Sequence, residues 1–399
     1  MKSTKWLIII GGFAALVIAL VGFLGGMAAP NTQTIDPYVY LPIVLKQELP
    51  TPTPTFMPTV TPTPSVTPIP PDTPTPTPTL TPPPSHNGGD IVSLAFSPAY
   101  PNDATLFVGS WQGFFMTING GSSWDQIDTV VSRDIAVSPS YASDHTLFQA
   151  AGAFVYKTTN WGQSWYGTAP CFPYAVHSLA ISPQYVTDQT IFAGTWAGVA
   201  KSTNSGATWE RFTNSPTMVR FLALTTNYPN DLTLFAGTDN QGVFKSTDGG
   251  VTWGAVNNGL TSLSIRGLVI SPNYTSDHTI FVATFSSGIF KSMNGGDSWS
   301  SANSGLTSLV MGALAISPNY TNDHTVFAGT TFNGVFKSTN SGDTWGPSNT
   351  GLANLDVSAL SVSPNYSNDQ TVFAGTADGV YKSIDAGSTW TIKGIPVSE

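Results

Sequence analysis

Residues 246–253 read STDGGVTW, and the chain writes variants of this octet seven times: TINGGSSW (117–124), TTNWGQSW (158–165), STNSGATW (202–209), STDGGVTW itself, SMNGGDSW (292–299), STNSGDTW (338–345) and SIDAGSTW (383–390). The closing tryptophans, Trp124, Trp165, Trp209, Trp253, Trp299, Trp345 and Trp390, recur about every 41 to 46 residues. Each unit has one internal order. An apolar run such as SLAIS (178–182) leads into a polar turn such as PNYTNDHT (318–325), then TVFAGT (325–330), a short loop, GVFKS (334–338), the octet and a polar strand. Four short β-prone runs separated by turns make one antiparallel sheet. A sheet that is apolar on both faces cannot bury itself, so successive sheets must stack, and radial stacking leaves few exposed edges. Seven units therefore predict an all-β fold, a seven-bladed β-propeller of four-stranded antiparallel blades spanning residues 88–399.

The sequence before the array is of another kind. After Lys2 and Lys5 an uncharged run reaches Pro30, long enough to cross a bilayer as a helix, with the lysines left inside. Residues 1–30 are thus expected to be a membrane anchor, the alternative being a signal peptide cut near Ala28. Residues 31–49 form a short juxtamembrane segment. Residues 50–87 are almost wholly Pro and Thr, a composition that builds no core and holds an extended, disordered stalk. The propeller is then displayed at the cell surface, or secreted if the first segment is removed. The whole chain's formal charge of −9, with only 14 Lys and Arg, disfavours nucleic acid as a partner. A single cysteine, Cys171, excludes an intramolecular disulfide and a cysteine-based zinc site. No cofactor or metal site is expected: His145, His278 and His324 occupy equivalent turns of separate repeats, where Asp144, Asp277 and Asp323 beside them fit a turn-capping role. Nothing in the sequence asks for more than a monomer.

The octets fit Ser/Thr-x-Asp/Asn-x-Gly-x-Ser/Thr-Trp, which resembles the Asp-box, or bacterial neuraminidase repeat, and the resemblance covers residues 90–399. That family, which includes sialidases, sortilin-type ectodomains, xyloglucan hydrolases and photosystem II assembly factors, shares a scaffold and not a reaction. The box itself reads as structure. Its carboxylate or amide, from Asn119, Asn160, Asn204, Asp248, Asn294, Asn340 and Asp385, accepts backbone N–H bonds, its glycine supplies a positive φ, and its indole fills the space between sheets.

Ligand recognition is expected where the repeats disagree, on the face bearing the loops between second and third strands. Those loops carry Trp111, Trp196, Asp239, Phe285 and Phe332. One alignment column stands out. Five residues before the end of the first apolar run, successive repeats place Val92, Arg133, His177, Arg220, Arg266, Gly312 and Ser358, so three of the chain's four arginines share a column. The first strand lines the central channel, which puts Arg133, His177, Arg220 and Arg266 at its mouth. Guanidinium forks suit carboxylate, phosphate or sulfate groups, and aromatic faces beside them suit an acidic glycan or a protein ligand's carboxylate. The competing structural role is pairing with nearby aspartates such as Asp134, Asp128 or Asp356. His177 is expected to gain a proton below about pH 6.5 and so to strengthen anion binding.

Catalysis is the minority expectation. Sialidases use an arginine trio, a tyrosine nucleophile paired with a glutamate, and an aspartate; the trio has a counterpart in Arg133, Arg220 and Arg266, but the only glutamates are Glu48, Glu210 and Glu399, and the Arg-Ile-Pro segment is missing. A covalent route lacks its activating base. An aspartate pair drawn from Asp134, Asp239 and Asp378 leaves a glycoside hydrolase as the alternative. No residue is assigned as catalytic, and a structural module without a ligand is the third reading.

Overall fold

The computed structural model describes residues 91–168, 172 and 174–395; the expected anchor, juxtamembrane segment and stalk, and Cys171, lie outside them. Seven four-stranded sheets follow one another along the chain, and in each the strands pair antiparallel in sequence order. Blade 5 is representative: Ile265–Ile270 innermost, then Ile280–Thr284, Ile289–Ser292 and the short outer Ser300–Ser301. The second strands, such as Val326–Thr330 and Val372–Thr376, are buried along their whole length, as β-branched and aromatic residues allow when both faces meet neighbouring sheets. No sheet mixes distant segments. The ring closes by packing blade 7 on blade 1, with Ile91, Phe115 and Trp124 in one apolar cluster with Phe373, Val380 and Ile395. The approach is close: a side chain on Gly375 would stand 2.4 Å from Ile91 Cγ2.

The octets and the second repeated turn hold each blade's ends. In STDGGVTW, Ser246 Oγ donates to Asp248 Oδ1 at 2.8 Å and accepts from Gly250 N, while Asp248 accepts from Thr252 N and Thr252 Oγ1. Gly250 has φ +98°, a value glycine takes without strain. These bonds hold the Asp248 carboxyl down to about 2. In the other turn Ser271 Oγ donates to Asp277 Oδ2 and Thr279 N to Asp277 Oδ1, with equivalent bonds at Asp144 and Asp323, as the capping role requires. His145, His278 and His324 follow with φ near +50°.

Most of the tryptophans tie blades together as expected. Trp299, Trp345 and Trp390 donate to the carbonyls of Val256, Ala302 and Ser348 in the preceding blade, and Trp124 to Lys393 across the closure. Trp253 differs in its hydrogen bond, its indole donating to Gly250 O of its own octet at 2.8 Å while its half-buried ring still packs against the cluster between blades 3 and 4.

A lysine latch adds a second tie, outside the octet. The third strands place Lys157, Lys201, Lys245, Lys291, Lys337 and Lys382 in one column, each ammonium 5.4–5.7 Å from a phenylalanine ring of its own blade. Lys245, Lys337 and Lys382 donate to the carbonyls of Gly295, Ala386 and Gly120 at the next blade's octet. Blade 1 has Met116 at this place. At the joint it would serve, between blades 1 and 2, Trp165 Nε1, Tyr141 Oη and Ser132 Oγ are buried without hydrogen-bond partners.

Candidate functional site

The first strands converge on the axis, and a defect in their pairing aims the site. In blade 5 Ile265 pairs with Thr284 and Gly267 with Ala283, which leaves Arg266 as the extra residue of a β-bulge. The same shift isolates Val92, His177, Arg220, Gly312 and Ser358 in their blades. A bulged residue leaves the alternation of its strand and is re-aimed. Arg133 reaches the equivalent place differently, standing just before the shorter strand Asp134–Val137, with its N–H on Ala150 O. Arg133, His177, Arg220 and Arg266 thereby line one axial cavity of about 390 Å³, together with Trp111 and Asp134. Val92, Gly312 and Ser358 complete the collar from blades 1, 6 and 7.

Aromatic rings hold the cationic side. The Arg133 guanidinium lies 5.0 Å from the Trp111 ring centre and that of Arg266 5.0 Å from Phe285, within cation–π range. His177 stacks on Trp196 with centroids 5.6 Å apart and planes 18° apart. These three aromatics are thus supports for the side chains of the collar, although each keeps an exposed face. Phe332 is not among the cavity's walls: it lies one residue further along its hairpin and is 72% exposed, with Thr331 occupying the supporting position.

Asp239 proves to be an internal counter-ion. Its Oδ1 accepts from Arg266 Nη1 at 2.8 Å and lies 3.1 Å from Arg220 Nε, off the line of a hydrogen bond. The structural alternative for the arginines is therefore met in part, by Asp239. Two guanidiniums share one carboxylate, so positive charge remains on this side. Arg220 is itself lowered by burial first and by Arg266 next.

Two titrations are displaced in opposite directions. His177 is pushed down to about 4, mainly by burial and further by Arg133 and Arg220. This corrects the expectation that it gains a proton below about pH 6.5: it is a neutral ring on a cationic collar. Asp134 is raised to about 6 by burial, against the bonds it accepts from Leu179 N, Ile135 N and Ser93 Oγ. It thereby joins blades 1, 2 and 3 while keeping a water-accessible edge on the cavity. Asp378, in blade 7, is bonded by Thr376 Oγ1 and Tyr381 Oη.

No family model matches the chain, and no curated protein matches it. Solved structures do. A GH74 enzyme from Niastella koreensis superposes with a TM-score of 0.62 at 19% identity, covering 78% of this chain and 55% of that one. The GH74 xyloglucanase from Xanthomonas campestris gives 0.63 at 16% identity, with 78% and 55% covered. The extracellular domain of a hybrid two-component system from B. thetaiotaomicron gives 0.58 at 14% identity, with 74% and 38% covered. This chain spans about half the length of the GH74 enzymes it matches. At such identities the likeness speaks to architecture alone, and the architecture is a seven-bladed β-propeller of four-stranded antiparallel blades.

Proposed function

We propose that this propeller is an extracellular recognition module that binds an anionic group, in the first instance a carboxylate, at the mouth of its channel. The observation that carries the reading is the convergence of Arg133, Arg220 and Arg266 from three blades onto one cavity, two of them on bulges and two braced by aromatic rings. At neutral pH three guanidiniums stand against the carboxylates of Asp239 and Asp134, and the one positive charge in surplus is what a ligand can neutralise. An acidic glycan or the carboxylate of a protein ligand are the partner classes that match guanidiniums flanked by exposed rings. Display from a membrane by residues 1–30 through the Pro/Thr stalk, as a monomer, completes the proposal, and the octets remain an Asp-box scaffold in it. Glycoside hydrolysis needs two facing carboxyl groups with open sites. Asp134, Asp239 and Asp378 are each committed to hydrogen bonds or ion pairs, so binding is the better-supported role.

Calorimetric titration with acetate, sulfate and an oligogalacturonide tests this. Arg220→Gln and Arg133→Gln should each weaken binding by roughly 1.5–3 kcal/mol, the worth of a charge-assisted hydrogen bond. Added salt should weaken it further. Asp239→Asn should strengthen it by freeing two guanidiniums. Unchanged affinity in the arginine variants, with melting lowered in every one, would mean that the column only ties blades together.

A further inference from the structure

The cavity is two-sided, and its second side is not cationic. Across from Arg133, His177 and Arg220 the collar is closed by Val92, Gly312 and Ser358, and two residues deeper the same blades present Leu94, Leu314 and Leu360, with Leu268 beside them. Leu94 and Leu360 are only partly buried, so apolar surface is left facing the axis. The cavity walls include two hydroxyls, both with their protons committed. Ser93 Oγ donates to Asp134 at 3.1 Å, and Ser358 Oγ donates to the Ile91 carbonyl at the ring closure. A polyhydroxylated ligand would press its hydroxyls against leucine and alanine here, at the cost of unmade hydrogen bonds. An alkyl chain loses nothing on such a wall and gains from burial. The volume of about 390 Å³ is of small-ligand size.

We infer that the cavity takes a free alkyl carboxylate, its head on Arg133 and Arg220 and its apolar tail along Val92, Leu94, Leu314 and Leu360. The inference rests on the carboxylate reading above and narrows it, setting glycans aside. Recognition is then split between two halves of the ring, charge from blades 2, 4 and 5 and apolar contact from blades 6, 7 and 1.

The test uses the full chain, titrated calorimetrically with acetate, butyrate, hexanoate, octanoate and decanoate. Each added CH₂ that is buried should tighten binding by about fourfold, until the tail outgrows the well. The heat-capacity change should grow more negative along the series. Val92→Asn should flatten this chain-length dependence while acetate still binds, and Leu360→Asn serves the same purpose if the first variant melts early. Arg220→Gln should weaken the whole series by a common factor. If acetate and decanoate bind equally, or if an oligogalacturonide or a peptide acid binds and decanoate does not, the tail inference is overturned while the carboxylate collar stands. If no carboxylate and no sulfate binds at all, both readings fall.

Discussion

The two displaced titrations sit on adjacent columns of the channel and pull stability in opposite directions. His177, lowered to about 4 from an ordinary 6.5, contributes stability that is present above pH 6.5 and lost as pH falls through 4. Asp134, raised to about 6 from 3.8, contributes stability that is present below pH 3.8 and lost as pH rises through 6. Each is worth on the order of 2–3 kcal/mol, so between pH 6.5 and 4 they nearly cancel. Asp134→Asn should therefore expose a loss of stability on acidification across that window, and His177→Gln a gain, where the wild-type protein stays nearly flat. Denaturant melts at pH 7, 5.5 and 4 measure this; parallel curves for all three proteins would refute the opposition. Asp248→Ala should cost about 1–2 kcal/mol at neutral pH, because it uncaps the octet turn. The wild-type advantage there is present above pH 3.8 and fades as pH falls through about 2. Neither channel shift was readable from residue types, since burial sets both and the guanidiniums deepen only that of His177, and neighbours in space are not neighbours in sequence.

At the scale of the blade, the joints are unequal. Trp345→Ala should cost about 3–5 kcal/mol, since it empties an interface and leaves the Ala302 carbonyl without its donor. Trp253→Ala should cost clearly less, as its indole is half-buried and bonds its own turn; equal losses in urea melts would contradict the distinction. The joint between blades 1 and 2 is the least secured. Met116→Lys there should raise stability by about 0.5–1.5 kcal/mol by giving the Trp161 carbonyl the latch that Gly120, Gly295 and Ala386 already have. An unchanged or lowered melting temperature would speak against it. The octet and its period carried blade number, strand order and the tryptophan's place, because repetition averages out local ambiguity. The arginine column was legible for the same reason. The bulge that aims it was not, since register belongs to strand pairs and leaves the apolar pattern of a single strand intact. The lysine column was written as plainly as the arginine column, but a lysine between apolar strand residues reads as an exposed face until the neighbouring blade supplies its carbonyl.

For the whole ring, the decisive feature is that every blade is made from one uninterrupted stretch and that Ile91 and Ile395 meet in the same apolar cluster. Among the described residues the closure relies on side-chain packing, the Trp124–Lys393 and Lys382–Gly120 bonds and the Ser358–Ile91 contact, and borrows no strand from the far end. Topologically, then, the molecule has no privileged beginning. A circular permutant that joins residue 395 to residue 91 by a short flexible link and opens between blades 5 and 6 near Ser304 should reach the same fold. Its inter-blade tryptophan fluorescence should be retained, and its melting temperature should lie within several degrees of the parent's. Opening inside a blade, between Val326–Thr330 and Gly334–Ser338, should instead strand half a sheet at each terminus. The backbone is thus a necklace of interchangeable beads, and the order of the beads matters only where their inward residues must face one another across the hole.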